Sequence, residues 1–144
     1  MNRRNFLQAT TATIAGAAWP ASAAPATRIV ALAPHLTELV YAAGGGDKLV
    51  GVIRYSDHPA AARALPVVGD AFALNLERIA QLRPDLVLVW HSGLGERQRE
   101  QLRALGLALH ESEIRRVEDI AVTLRSLGAL LEARGRYGAE LGLA

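Results

Sequence analysis

Short apolar runs alternate with helical patterns along most of this chain, and this alternation limits the possible folds more than any other feature. The apolar runs predict four strands, at residues 28–33, 49–53, 85–90 and 107–111. The helical patterns predict five helices, at residues 34–43, 59–65, 75–82, 96–105 and 117–131. Strands that alternate with helices form right-handed crossovers onto a parallel sheet. We therefore predict an α/β fold with an open, mostly parallel sheet and helices on both faces.

Length, charge and cysteine content exclude several classes of protein. The 144 residues suffice for one ordinary domain but not for two. The net charge is +2, but Arg3 and Arg4 fall in a segment that we expect to be removed, and without them basic and acidic residues are equal in number. Arginine and glutamate also alternate near residues 96–100, which is typical of a solvated helix face, so we predict no nucleic-acid partner. The absence of cysteine excludes disulfides, thiolate metal sites, cysteine nucleophiles and a lipoprotein anchor.

Residues 1–24 have the three parts of an export signal. Arg3 and Arg4 begin it, a mildly apolar stretch follows, and small residues end it at Ala23 and Ala24. The paired arginines are typical of the twin-arginine route, and we expect cleavage after one of the two alanines. The apolar stretch is shorter than the roughly 20 residues that a membrane span needs. We therefore predict a periplasmic protein with no stable membrane insertion.

Rings and polar side chains follow the predicted strands at the edge where ligands bind. In an open α/β sheet, ligands lie outside the carboxyl ends of the strands. His35 follows the first strand, Tyr55 follows the second, and the third ends in Trp90, with Phe72 in a nearby loop. Each ring taken alone could have a purely structural role. Together at one edge, aromatic rings predict a flat apolar surface for a ligand.

Catalytic motifs are poor in this chain. Ser56, Asp57 and His58 are consecutive, and neighbouring loop residues point in different directions, so they do not predict a triad. No nucleophile elbow, phosphate-binding loop or dinucleotide fingerprint is present. We therefore predict a binding protein without catalytic or metal-ligating residues. A small zinc-dependent hydrolase, with His35, His58 and His91 converging on a metal, is the alternative of another class.

Several stretches resemble the periplasmic binding proteins for cobalamin, haem and iron siderophores. Residues 28–34 with Thr37-Glu38 resemble the opening of these proteins. Residues 55–59 resemble a Tyr-Ser-Asp-Tyr-Pro loop of the cobalamin-binding members, and residues 75–78 resemble their Asn-Leu-Glu-Arg helix start. Residues 84–87, followed by Trp90 and Gly93, resemble their third strand. The resemblance extends from about residue 28 to residue 131.

The resemblance implies that the chain captures cobalamin or a related corrinoid and delivers it to the inner-membrane permease of an ABC importer. Cobalamin would be a transported ligand and not a catalytic cofactor. Tyr55 and Trp90 match positions that contact the corrinoid, and Glu77 matches an acidic residue that docks on the permease. Haem or a ferric siderophore is the alternative ligand within the same superfamily.

Two departures from the cobalamin pattern bear on the ligand. Ala71 stands where the pattern has a tryptophan, and the adjacent Phe72 is a candidate replacement. His58 stands where the pattern has a second tyrosine. The other candidate ligand contacts lie in the same loops: Ser56, Asp57 and His91.

The resemblance also divides the chain. Residues 25–131 are expected to form the N-terminal ligand-binding lobe of a two-lobed protein, and residues 132–144 the start of the helix that connects the lobes. The second lobe is absent from this sequence. We interpret the chain as either a fragment or a truncated gene product, and we expect a single lobe to bind its ligand weakly or not at all. We also expect a monomer.

Overall fold

The computed structural model describes residues 24–131. The predicted connecting helix and all but the last residue of the predicted export signal lie outside these residues. The strands are β1 (Ile29–Ala31), β2 (Leu49–Val52), β3 (Leu86–Trp90) and β4 (Leu109–Ser112). The α-helices are α1 (Pro34–Ala42), α2 (Leu76–Leu82), α3 (Glu96–Ala104) and α4 (Val117–Leu131). Two short 3-10 helices occupy Gly46–Lys48 and Ala60–Ala64.

The four strands form one sheet in the order β2-β1-β3-β4, and every pair is parallel. This confirms the predicted fold class. Alternate residues of a strand point to opposite faces of the sheet. Ile29 and Leu88 pack on the face that α1 and α4 cover, whereas Val30 and Val87 pack on the face that α2 and α3 cover. Both faces are buried, which explains why the strand sequences are almost continuously apolar.

Local sequence signals account for most element boundaries. Asn75 caps α2, because its side-chain oxygen accepts a hydrogen bond from the backbone N–H of Arg78 at 3.0 Å. Gly106 ends α3 with a φ of 77°, a conformation that suits glycine. The helix predicted at residues 59–65 is instead a 3-10 helix of five residues. Leu65 separates it from Pro66 and is extended, because the α conformation is disfavoured for the residue before a proline.

At the amino ends of the strands, Asp85 fastens β3 to the segment that leads into β1. Its carboxylate accepts hydrogen bonds from the backbone N–H and the hydroxyl of Thr27 and from the backbone N–H of Arg28, at 2.8 to 3.0 Å. Desolvation acts to raise the pKa of Asp85, but these hydrogen bonds hold it below its ordinary value. The polar groups of these residues at the amino edge of the sheet are thus paired with one another by hydrogen bonds.

Candidate functional site

The strand order creates a crevice at the carboxyl edge of the sheet. β1 and β3 are neighbours, but α1 leads from β1 to β2 on one side, whereas α3 leads from β3 to β4 on the other. The chain therefore leaves two adjacent strands in opposite directions, which is the arrangement that opens a ligand-binding crevice in such sheets. β3 continues two residues beyond its last partner in β1 and places Trp90 at this point.

The rings of His35 and Trp90 meet at the crevice. His35 is the second residue of α1, and its ring lies edge-to-face with the indole, with centroids 5.2 Å apart and planes at 88°. Burial lowers the pKa of His35, although Glu38 and Glu113 act to raise it. The imidazole is therefore neutral at pH 7. His35 Nε2 and Trp90 Nε1 are both buried without a hydrogen-bond partner.

Ser112 also has a buried hydroxyl without a partner, and it is the residue of β4 that pairs with Trp90. The sequence did not indicate Ser112, because its position beside Trp90 depends on the pairing of β3 with β4. The sequence placed His35 at the ligand-binding edge and offered it as a possible metal ligand. The structure places it instead against the aromatic ring that the sequence favoured as a ligand contact.

The loop after Trp90 is held by charged side chains. Arg99, which is buried, donates hydrogen bonds to the carbonyl oxygens of His91 and Leu94, each at 2.8 Å. Glu113 accepts from the hydroxyl and the backbone N–H of Ser92 at 2.6 and 3.0 Å, and these bonds help to lower its pKa. A side chain at Gly93 would collide with the indole ring of Trp90. These contacts hold the loop in a shape in which its backbone passes close to the Trp90 ring at Gly93, and this close approach requires glycine.

Tyr55 and Phe72 lie on two adjoining loops with their rings in solvent. Tyr55 is 75% exposed and has a φ of 68°, and Phe72 is 93% exposed. The loops meet where the backbone N–H of Arg54 donates to the carbonyl of Gly69 at 2.8 Å. Two large exposed rings contribute little to the core, so their placement at one edge favours a binding role.

The Phe72 loop is a tight turn. Asp70 accepts hydrogen bonds from the backbone N–H groups of Phe72 and Ala73 at 2.9 and 3.0 Å, which lowers the pKa of this aspartate. The side chain of Gln98, in the first turn of α3, donates to the carbonyl of Phe72 at 3.5 Å. These contacts position the Phe72 backbone and leave its ring free.

The polar candidates of the Tyr55 loop differ in their exposure to solvent. Asp57 and His58 are exposed, and the Asp57 carbonyl accepts a hydrogen bond from Arg63. Ser56 is only 4% exposed, and its hydroxyl lies 3.2 Å from that of Thr37 on α1. Ser56 thus joins this loop to α1, which makes it the weakest of the predicted ligand contacts. Because Ser56 is buried whereas Asp57 and His58 are exposed, these three consecutive residues do not form a triad.

The three histidines of the zinc alternative do not converge. His35 faces Trp90, the exposed His91 lies 3.1 Å from Glu111, and His58 is in solvent on another loop. Within residues 24–131, no group of three or more histidine, aspartate or glutamate side chains is arranged to hold a metal ion. This corrects the alternative of a zinc-dependent hydrolase, because loops that share an edge of a sheet need not direct their side chains at one point.

Glu77 is exposed in the first turn of α2. A carboxylate there is favoured by the helix dipole. None of the helices in the described part of the chain is long and apolar enough to cross a membrane.

Comparison with known proteins agrees with this geometry. A family model described as periplasmic binding protein matches residues 29–138. The chain belongs to the periplasmic binding protein family.

Relatives in this family include vitamin B12-binding proteins. The protein of Vibrio cholerae serotype O1 is 44% identical over 103 residues, which are 72% of this chain and 37% of that protein. The protein of Yersinia pestis is 45% identical over 108 residues, 75% of this chain and 38% of that protein. The chain thus spans little more than a third of the length of these relatives.

Two solved structures show the same fold. The periplasmic vitamin B12 binding protein BtuF of Vibrio cholerae matches with a TM-score of 0.76 and 38% identity, over 83% of this chain and 48% of that one. A periplasmic heme binding protein from Pseudomonas aeruginosa matches with a TM-score of 0.74 and 33% identity, over 82% and 43%.

Proposed function

We propose that this chain captures cobalamin or a related corrinoid in the periplasm and delivers it to an ABC importer. The observation that carries the proposal is the group of rings at the carboxyl edge, where Trp90 stands at the crevice and Tyr55 and Phe72 are exposed on adjoining loops. Flat apolar faces suit a large macrocycle. Similarity to the vitamin B12-binding proteins of Vibrio and Yersinia supports the choice of ligand.

The exposed or partly buried candidate residues are assigned contacts with the ligand, and the buried Ser56 is assigned the role of joining its loop to α1. Trp90, Tyr55 and Phe72 provide the apolar contacts. Asp57 and His58 beside Tyr55, and His91 after Trp90, provide polar groups at the rim of the ligand. The ligand is cargo, and no residue is assigned a catalytic role.

Haem is the second candidate ligand, and it is favoured by similarity to solved heme-binding proteins. These include the protein from Pseudomonas aeruginosa and BhuT, which was solved with two hemes and is 27% identical to this chain with a TM-score of 0.72. Both ligands are flat coloured macrocycles, so the rings at the edge do not by themselves separate them.

Equilibrium dialysis against cyanocobalamin and, separately, haemin tests the proposal. We expect weak but saturable binding of cyanocobalamin by this single lobe, and still weaker binding of haemin. The double variant Tyr55→Ala/Phe72→Ala should weaken cyanocobalamin binding severalfold. Val122→Ala, which truncates another exposed apolar side chain, on α4, should not. Binding of haemin alone would replace the corrinoid with haem, and binding of neither pigment would contradict a receptor role for this chain.

The affinity of this chain alone is expected to be lower than that of a longer relative. The described part is one lobe, which supplies only part of the surface around a ligand held between two lobes. An affinity equal to that of a full-length vitamin B12-binding protein, measured in the same dialysis, would contradict this expectation. We also expect a monomer by light scattering at the concentrations used.

Delivery to the importer is proposed to depend on Glu77. Its exposed carboxylate at the start of α2 is available to arginines of a permease. Glu77→Ala should reduce ligand-dependent stimulation of the permease ATPase without changing ligand affinity. Glu100→Ala, an exposed glutamate on α3, is the matched control. Equal loss in both variants would contradict a specific docking role.

Export is proposed to use residues 1–24 as a cleavable twin-arginine signal. Replacing Arg3 and Arg4 together by lysine should leave the chain in the cytoplasm at its full length. A periplasmic, shortened product from this variant would contradict the twin-arginine route.

A further inference from the structure

Three buried polar atoms without hydrogen-bond partners lie at the carboxyl edge of the sheet. They are His35 Nε2, Trp90 Nε1 and Ser112 Oγ, and they are the buried side-chain atoms of this kind within residues 24–131. Trp90 connects the other two, because its ring contacts that of His35 and its partner in the β3–β4 ladder is Ser112. Side chains paired in register on neighbouring strands point to the same face of a sheet. We refer to these three side chains as one cluster, because Trp90 contacts His35 and shares a face of the sheet with Ser112.

Unpaired buried polar atoms are uncommon in folded proteins, since each has lost its hydrogen bonds to water. The three groups here have complementary capacities. An indole N–H only donates, a hydroxyl donates and accepts, and a neutral imidazole donates through one nitrogen and accepts through the other. The cluster can therefore pair with a group that both accepts and donates hydrogen bonds.

The surrounding charges select against an anion. The charged groups that act on His35 are Glu38 on α1 and Glu113 after β4, and both are acidic. Glu111, the neighbour of Ser112 on β4, points to the opposite face of the sheet. The nearby cations are engaged, because Arg103 pairs with Glu111 at 2.8 Å and Arg115 pairs with Glu113 at 3.1 Å. A ligand carboxylate would therefore find no unpaired cation among these side chains and would lie near the carboxylate of Glu38, whereas a neutral group needs no counter-charge.

We propose that His35, Trp90 and Ser112 form a niche that binds a neutral carboxamide group of the ligand and thereby determines specificity. This inference rests on the proposed function, and it adds which chemical group of the ligand the niche recognises. A corrin ring carries carboxamides around its rim, whereas haem carries two carboxylates. The niche would therefore favour a corrinoid over haem. The aromatic contacts alone do not distinguish these two ligands.

Access to the niche requires a side chain to turn. The three atoms are shielded from solvent, but the side chains of His35 and Trp90 are only partly buried. The proposal requires that one of these rings rotate to another staggered rotamer and so bring its nitrogen to the crevice. Hydrogen bonds with the carboxamide would then satisfy polar atoms that have no partner in this structure.

Two corrinoids that differ in their side groups test the niche. Dicyanocobinamide carries carboxamides, and dicyanocobyrinic acid carries carboxylates on the same ring. We expect wild type to prefer the amide form at least tenfold in equilibrium dialysis. His35→Phe and Ser112→Ala should each reduce this preference severalfold. The matched controls His110→Phe, further from the edge on β4, and Ser126→Ala, on α4, should retain it. Retention of the full preference in both niche variants would overturn the inference.

A second measurement separates the niche from the proposed function. The indole N–H resonance of Trp90, assigned with Trp90→Phe, is followed by NMR during titration with acetamide and with sodium acetate. We expect a concentration-dependent shift with acetamide that Ser112→Ala diminishes, and a smaller shift with acetate. This result without corrinoid binding would contradict the proposed function and leave the niche standing. Corrinoid binding together with an unmoved indole resonance would overturn the niche alone, and equal shifts with both solutes would overturn its selectivity for a neutral group.

Discussion

At the amino edge of the sheet, polar groups are paired with one another, whereas at the carboxyl edge several are left without partners. Asp85 accepts hydrogen bonds from Thr27 and Arg28, and the guanidinium of Arg28 donates to the carbonyl of Leu82. At the opposite edge, the polar atoms of His35, Trp90 and Ser112 are buried without partners. Polar groups at the two edges of one sheet thus differ, because those at the amino edge have hydrogen-bond partners and these three at the carboxyl edge have none.

The aromatic rings show the same asymmetry. Tyr55 and Phe72 are exposed on loops at the carboxyl edge, and Trp90 is only partly buried there. Exposed rings and unpaired polar atoms both cost stability that the fold could have gained by burying or pairing them. The comparison indicates that the amino edge stabilises the fold, whereas the carboxyl edge keeps the exposed and unpaired groups that we propose contact a ligand. Variants at each edge should therefore affect different properties.

The largest expected effect on binding comes from Trp90→Ala. Removing the ring at the crevice should lower corrinoid affinity at least tenfold, which is about 1.4 kcal/mol of binding free energy. Equilibrium dialysis with cyanocobalamin measures this change. Asp85→Asn at the amino edge is the control and should leave the affinity within twofold of wild type. Equal losses of affinity in both variants would remove the functional distinction between the edges.

The largest expected effect on stability comes from Asp85→Ala. It removes the acceptor of three hydrogen bonds and should lower the free energy of unfolding by about 1–2 kcal/mol, as measured by urea denaturation. The pKa of Asp85 is lowered in the folded protein, so its contribution is present at neutral pH and is lost as pH falls through that lowered value. The stability difference between wild type and variant should therefore shrink in acid. A difference that grew in acid would contradict this assignment.

Phe72→Ala should separate binding from stability most cleanly. The ring is 93% exposed, so its removal should change the free energy of unfolding by less than about 0.5 kcal/mol. If the ring covers the ligand, corrinoid affinity should still fall severalfold. Urea denaturation and dialysis on the same preparation test both halves of the prediction. A large loss of stability would show that Phe72 packs against the protein and is not held for a ligand.

The smallest expected effect is a pH dependence from His35. Its pKa in the folded protein is below the ordinary value of 6.5, because burial disfavours the charged ring. The unfolded chain therefore binds the proton more readily, and stability should decrease as pH falls from about 6.5 through the lowered folded-state pKa. The partly buried His110, whose pKa is also lowered by burial, contributes in the same range, so His35→Phe should reduce this part of the stability profile and His58→Ala should leave it unchanged. An unchanged profile in His35→Phe would contradict the assignment.

Much of the fold was predictable because its signals are local. The apolar runs, the cap at Asn75 and the glycine after α3 each act within a few residues, and the four strands and four α-helices appear where these signals place them. The exposed aromatics at the carboxyl edge were predictable as well, because every parallel strand ends at that edge. The short helix at residues 59–65 was less predictable, since its conformation depends on the proline that follows it.

The contacts within the site were not predictable in the same way. The order β2-β1-β3-β4 decides that Ser112 lies beside Trp90, and no local pattern encodes that order. The inward orientation of Ser56 depends on its contact with Thr37, 19 residues earlier in the chain. That the three histidines do not converge likewise depends on packing between distant parts of the chain. Sequence patterns place residues at an edge, but packing decides which side chains meet.

Quenching of Trp90 emission tests the central claim, that a corrinoid binds at the carboxyl edge, most directly. In a chain with Trp19→Phe, Trp90 is the one remaining tryptophan. Titration with cyanocobalamin, corrected for absorption by the ligand, should quench this emission saturably, and Asp85→Asn should behave like wild type. Binding detected by dialysis without any change in Trp90 emission would place the ligand elsewhere on the protein and contradict the claim.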